Sequence, residues 1–94
     1  RVTQNAKAED CIILIVLLKS SAHRQKILES LSSTIKTPSE IAKETDMRLN
    51  HTSMYLGELK KKRLIICLNE GSRKGRLYQI TGLGKRVLEI LNRE

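Results

Sequence analysis

Eight consecutive apolar residues, Cys11-Ile-Ile-Leu-Ile-Val-Leu-Leu18, constrain this chain more than any other stretch. Periodicity alone cannot separate helix from strand in so short a run. Glu9 and Asp10 stand just ahead of it, where acids favour the helix dipole, so the reading is a helix over 9–19. A buried strand is the alternative that the β-branched content allows. A helix apolar on every side must be covered on every side. The chain has 94 residues, one domain's worth, and so small a body cannot wrap one helix completely. Part of the run is therefore expected to lie against a second copy of the protein. It is too short to span a membrane, which takes about 20 apolar residues.

Leu and Ile fill 24 positions, enough for a small core and too many for a disordered tail. Phe and Trp are absent, and Tyr55 and Tyr78 are the two aromatics, which argues against a binder that stacks bases on aromatic platforms. Lys and Arg number 18 against 10 acidic residues, a net charge of +8. Such a balance points to a polyanion, nucleic acid first. A basic surface kept for solubility alone is the alternative, and the uneven spread of the charge speaks against it. Cys11 and Cys67 stand far apart with no CxxC, and His23 and His51 are isolated, so no metal site and no cofactor are expected. Both cysteines read as buried free thiols, with a disulfide between them as the alternative. No Gly-rich loop, paired carboxylates or Ser-His-Asp grouping is visible, so the chain does not read as an enzyme. No cleavable signal pattern is seen, and the expected location is the cytoplasm.

Further along, Lys19-Ser20-Ser21 interrupts the apolar run, and either Ser can cap a helix over 22–32 with Ile27, Leu28 and Leu31 inward. Thr37-Pro38-Ser39-Glu40 is the cleanest local signal. Thr37 can cap, Pro38 fits the first helical position, and Glu40 can close a capping box. That helix ends at Thr45-Asp46, and Met47 is expected to be buried in the turn. Asn50 is expected to cap the next helix, from His51 to about Lys62, with Thr52, Leu56 and Leu59 inward. Leu64–Leu68 and Leu77–Ile80 read as two strands joined by a basic, turn-rich tip over 69–76. Thr81 can cap a last helix over 82–92, with Leu83, Val87, Leu88, Ile90 and Leu91 apolar.

The expected fold class is mainly α with a small β-hairpin, one domain over 1–94. At this point a resemblance appears. Thr37-Pro-Ser-Glu-Ile-Ala-Lys-Glu-Thr45, Met47 and Leu56-Gly-Glu-Leu-Lys-Lys-Lys-Arg-Leu-Ile65 resemble the winged helix-turn-helix of prokaryotic transcription regulators of the MarR-like and ArsR-like kind. Tyr78-Gln-Ile-Thr-Gly-Leu-Gly-Lys85 resembles that family's second wing strand and the start of its last helix, and His23–Leu31 its first core helix. The resemblance covers roughly residues 20–92. Two positions depart from it. Arg63 stands where the family usually has Gly, and Thr52 where an aliphatic residue is common. The thiol metal motif of ArsR-like proteins is not visible.

The resemblance implies a three-helix core plus wing, with extra N- and C-terminal helices. It implies that the helix over about 50–62 enters a DNA major groove while the wing touches backbone or minor groove. Rotation by 100° per residue from an inward Thr52 puts Asn50, Met54 and Lys61 near the opposite face. Arg48, His51 and Ser53 flank the N-terminal end, which usually reaches base edges. Asn50 is weighed as a cap ahead of a base contact. Residues 48–76 carry eight cations, among them Lys60, Lys61, Arg73, Lys74 and Arg76, against Glu58 and Glu70, which is +6 of the total +8. The expected partners are double-stranded DNA and a second copy, joined through the elements over 9–19 and 82–92, and no membrane. The alternative is a winged-helix protein–protein module in a larger transcription or chromosome-handling complex.

Overall fold

From residue 12 onward the apolar run folds as a helix, which excludes the strand alternative. In the computed structural model, which describes residues 12–93, α1 covers residues 12–19. Glu9, Asp10 and Cys11, assigned to this helix and to a possible thiol pair, lie outside the described residues. Leu14 and Leu18, one turn apart, are buried, whereas Ile12, Ile13 and Val16 are 62%, 61% and 61% exposed. The rest of the chain thus covers one side of α1 and leaves the other bare. Among the described residues no helix is long and apolar enough to cross a membrane.

Three helices build the centre. Helix α2 spans Ala22–Ser30, capped by the Ser21 hydroxyl, which accepts from Arg24 N at 3.4 Å. It ends two residues earlier than expected, where Ser32 turns back to Glu29 O through both its N–H at 3.0 Å and its hydroxyl at 2.6 Å. Helix α3 spans Pro38–Thr45 and opens on the expected capping box: Thr37 Oγ1 accepts from Glu40 N at 3.3 Å, and Glu40 Oε1 accepts from Thr37 N at 2.8 Å. Helix α4 spans Leu49–Lys61. Its cap is Arg48, with no side-chain hydrogen bond, so the expectation that Asn50 caps it is corrected. The chain enters the helix two residues sooner, because Thr52 bonds back to Arg48 O through both its N–H and its hydroxyl, each at 2.9 Å. Ile27, Leu28, Leu31, Ile41, Leu56 and Leu59 fill the space between these helices, and Thr52 is fully buried among them. Its satisfied hydroxyl is how a polar residue occupies an aliphatic place. Met47, expected to be buried, is half-buried against the same core.

Both helices of the helix-turn-helix end in the same way without glycine. Asp46 (φ 57°) and Arg63 (φ 64°) take the left-handed conformation. Met47 N reaches Ala42 O at 2.9 Å, and Leu64 N reaches Leu59 O at 3.0 Å. Each is the wrapped C-terminus that glycine usually supplies, here on a residue that bears the steric cost. Arg63 therefore does the work of the missing glycine.

Strands β1 (Ile65–Cys67) and β2 (Tyr78–Ile80) pair antiparallel, Ile65 with Ile80 and Cys67 with Tyr78. Lys36 adds a bridge on the outer edge of β2, exchanging both backbone hydrogen bonds with Tyr78 at 3.2 and 2.9 Å. Cys67 is a buried free thiol. Helix α5 spans Gly82–Arg93 and buries Gly84, Val87, Leu88 and Leu91, while Leu83 and Ile90 are half-buried. Thr81 opens it as expected: its hydroxyl donates to Arg63 O at 2.8 Å and accepts from Gly84 N at 3.0 Å. The backbone at Gly84 lies so close to Leu64 and Ile80 that a Cβ there would sit 2.7 Å from Ile80 Cγ1. Glycine is required at that crossing by contact.

Arg63→Gly removes the left-handed strain while keeping the α4 terminus, where Leu64 N reaches Leu59 O and Arg63 N reaches Lys60 O, each at 3.0 Å. The expected outcome is a gain of about 0.5–1 kcal/mol, read as a higher urea midpoint at unchanged slope. A loss of stability would show that the Arg63 side chain holds more than the turn.

Candidate nucleic-acid interface

Burying Thr52, Leu56 and Leu59 turns the opposite face of α4 outward. Asn50, His51, Ser53, Met54 and Lys61 are exposed there, with Met54 at 54%. Arg48, just before the helix, is exposed as well. Asn50 lies in the first turn, where its Oδ1 accepts from His51 N at 3.0 Å.

The wing tip is wired from within. Asn69 Oδ1 accepts from Leu77 N at 2.8 Å, and Asn69 Nδ2 donates to Gly75 O at 3.2 Å. Arg76 Nε donates to Ser72 O at 2.8 Å and its Nη2 to Glu70 O at 3.2 Å. Lys60 Nζ pairs with Glu70 Oε2 at 3.0 Å, tying α4 to the loop. Arg76 and Lys60, both candidate phosphate contacts, thus also hold the wing in shape. Arg73 and Lys74 are exposed at the tip.

The candidate residues fall on the two flanks of α4. On one side a cleft of about 610 Å³ is lined by Ser53 and Lys60 of α4 and by Arg73, Lys74 and Arg76 of the wing. Thr37 and Ser39, at the start of α3, line it too. Sequence reading missed them as site residues. The capping box was visible, but its place beside the wing depends on the Lys36–Tyr78 bridge, which no local pattern signals. On the other side a hollow of about 350 Å³ gathers Arg48, His51 and Met54 with His23, Asp46 and Tyr55. Asn50 and Lys61 line neither cavity.

Two polar knots keep this surface in place. Arg24 Nε and Nη2 donate to both Glu58 carboxylate oxygens at 2.7 and 3.3 Å, binding α2 to α4. Those hydrogen bonds hold the Glu58 carboxyl below the usual carboxylate range against the opposing effect of burial, and they raise Arg24. Arg24 also lies over the Tyr55 ring, 5.4 Å from its centre, and His23 stacks on that ring at 5.8 Å. In the second knot Lys36 Nζ reaches Ser30 O and Glu44 Oε1, each at 2.5 Å, and the Ser30 hydroxyl donates to Glu44 as well. These hydrogen bonds, that from Lys36 foremost, lower the Glu44 carboxyl. Among the described residues no three His, Cys, Asp or Glu gather as metal ligands.

A model of the winged helix-turn-helix family matches residues 24–94. The chain belongs to the winged helix-turn-helix family. Solved structures share the fold at low identity. Reduced HlyU from Vibrio cholerae has a TM-score of 0.76 at 16% identity, over 99% of this chain and 96% of that one. A MarR family transcription regulator, SP03579, has 0.73 at 19%, over 98% and 62%. The homodimeric winged helix-turn-helix DNA-binding domain of Mb0332 from Mycobacterium bovis, a possible ArsR-family transcriptional regulator, has 0.70 at 23%, over 98% and 84%. The chain thus spans 62% of the length of the MarR family protein. No curated protein matches the sequence.

Glu58→Gln tests the first knot. A depressed carboxyl stabilises the fold above its unfolded value, about 4.3, and that contribution is lost as pH falls through the folded value. Glu58 is 41% exposed, so the expected cost at neutral pH is under about 1 kcal/mol. Urea unfolding should show the gap between parent and variant closing below about pH 4. An equal gap at both ends would assign the loss to packing.

Proposed function

We propose that this chain is a homodimeric DNA-binding unit that reads duplex sequence and regulates transcription. The observation that carries this reading is the shared cleft, into which α4 presents Ser53 and Lys60 while the wing presents Arg73 and Lys74. A rod and a cationic loop on one side of a small body suit a major groove and its flanking phosphates. Asn50, His51, Ser53 and Met54 are the proposed base-reading set, with Met54 suited to a thymine methyl. Arg48, Lys60, Lys61, Arg73, Lys74 and Arg76 are the proposed phosphate set, which supplies sequence-independent, salt-sensitive affinity.

Dimerisation is proposed through α1 together with α5. The bare face of Ile12, Ile13 and Val16 supports it, as do the half-buried Leu83 and Ile90. The homodimeric Mb0332 domain of the same fold is consistent with it. Two recognition helices would then meet half-sites about 34–36 Å apart. The rival reading, a protein-docking module, draws on Ile66, Leu68 and Leu77, which are exposed on the hairpin.

Salt-titrated gel-shift measurements on duplex DNA and on heparin separate the two readings. Equal affinity for both polyanions would overturn sequence reading. Arg73→Ala and Lys74→Ala are expected to weaken all duplexes alike and to lower the salt slope by about 1 each. Substitutions at His51, Ser53 or Met54 are expected to change preference between duplexes by about 1–3 kcal/mol per altered base pair. Equal losses across sequences from both sets would remove the recognition-helix assignment. Sedimentation at micromolar concentration is expected to show a dimer, and a monomer there would remove the dimer.

A further inference from the structure

We propose that the hollow on the far flank of α4 is a second seat for the DNA phosphate backbone, with a charge set by protonation of His23 and His51. This rests on the duplex-DNA reading above. A major groove is about 12 Å wide, and a helix with its side chains about 10–12 Å, so a helix in the groove has a phosphate strand along each flank. The wing cleft, with Lys60, Arg73 and Lys74, faces one strand. The other strand must pass the opposite flank, where the hollow lies.

Both histidines of the chain line that hollow. With neutral imidazoles its fixed charges cancel, Arg48 from the turn against Asp46 from the end of α3. Beyond Tyr55, Arg24 of α2 and Glu58 of α4 are bonded to each other and leave this balance unchanged. Each protonated imidazole therefore adds one uncompensated positive charge, up to two.

His23 is not on the recognition helix, and its position is fixed by packing. Its ring stacks on Tyr55 with 13° between the planes, and Arg24, pinned to Glu58, lies over the same tyrosine. The first turn of α2 is thereby held beside α4 with an exposed imidazole. A phosphate on this flank favours the imidazolium, so DNA binding takes up protons and strengthens as pH falls.

The test is anisotropy of a rhodamine-labelled mixed-sequence duplex titrated with the full chain at constant ionic strength. From about pH 8 to about pH 6 the affinity is expected to rise about tenfold, and the salt slope to steepen by up to about 2. His23→Gln is expected to reduce this ratio, and His23→Gln with His51→Gln to bring it to about 1. The ratio is read within each variant, so a general loss of affinity at His51 does not enter it. Thermal unfolding at both pH values checks that each variant is folded. Binding that is independent of pH in the parent, or a ratio that persists in the double variant, overturns the proposal and leaves the DNA reading standing. A full ratio in His23→Gln removes α2 from the seat. Absence of duplex binding at either pH overturns the DNA reading and this proposal together.

Discussion

The stripe formed by Thr52, Leu56 and Leu59 is the constraint on which the rest of the surface depends. Helix α4 can turn one face to solvent only because the other is locked between α2 and α3. The lock is apolar at Leu56 and Leu59 and polar but satisfied at Thr52, whose hydroxyl returns to Arg48 O. A hydroxyl without that partner would cost more than the missing methyl. The same bond brings the helix start forward to Leu49. It thereby decides how Arg48, Asn50 and His51 are presented.

Around that stripe, charge is used in two ways. Arg24 with Glu58, and Lys36 with Ser30 and Glu44, are fixed pairs that hold α2, α3, α4 and β2 in register. Arg73 and Lys74 stand exposed at the wing tip and line the cleft beside α4. Lys60 and Arg76 serve both ends, because each engages the wing loop while lining the cleft. A net charge says nothing of this division; the hydrogen-bond partners do.

Much of the fold was legible because it rests on local chemistry. The capping box at Thr37 and Glu40, the inward spacing of α4, the two strands and the Thr81 start are all set by neighbours within a few residues. The fit to MarR- and ArsR-type structures follows from that order of elements. What the sequence did not show depends on contacts distant along the chain. The Lys36–Tyr78 bridge joins residues far apart, and it brings Thr37 and Ser39 to the wing. The Asn50 cap was misplaced because a good capping residue beside a helix start is a local rule, and the buried Thr52 overrode it. His23 looked isolated for the same reason: Tyr55, which it stacks on, lies on another helix.

The internal wiring of the wing has one more consequence. Asn69 and Arg76 shape the loop through main-chain partners, while the side chains at positions 73 and 74 form none of the hydrogen bonds that fold it. At positions 73 and 74 the charge is thus carried apart from the shape. Descendants of this sequence could exchange those two cations, redirecting the fingertip to new neighbours, without having to reinvent the bend that carries it.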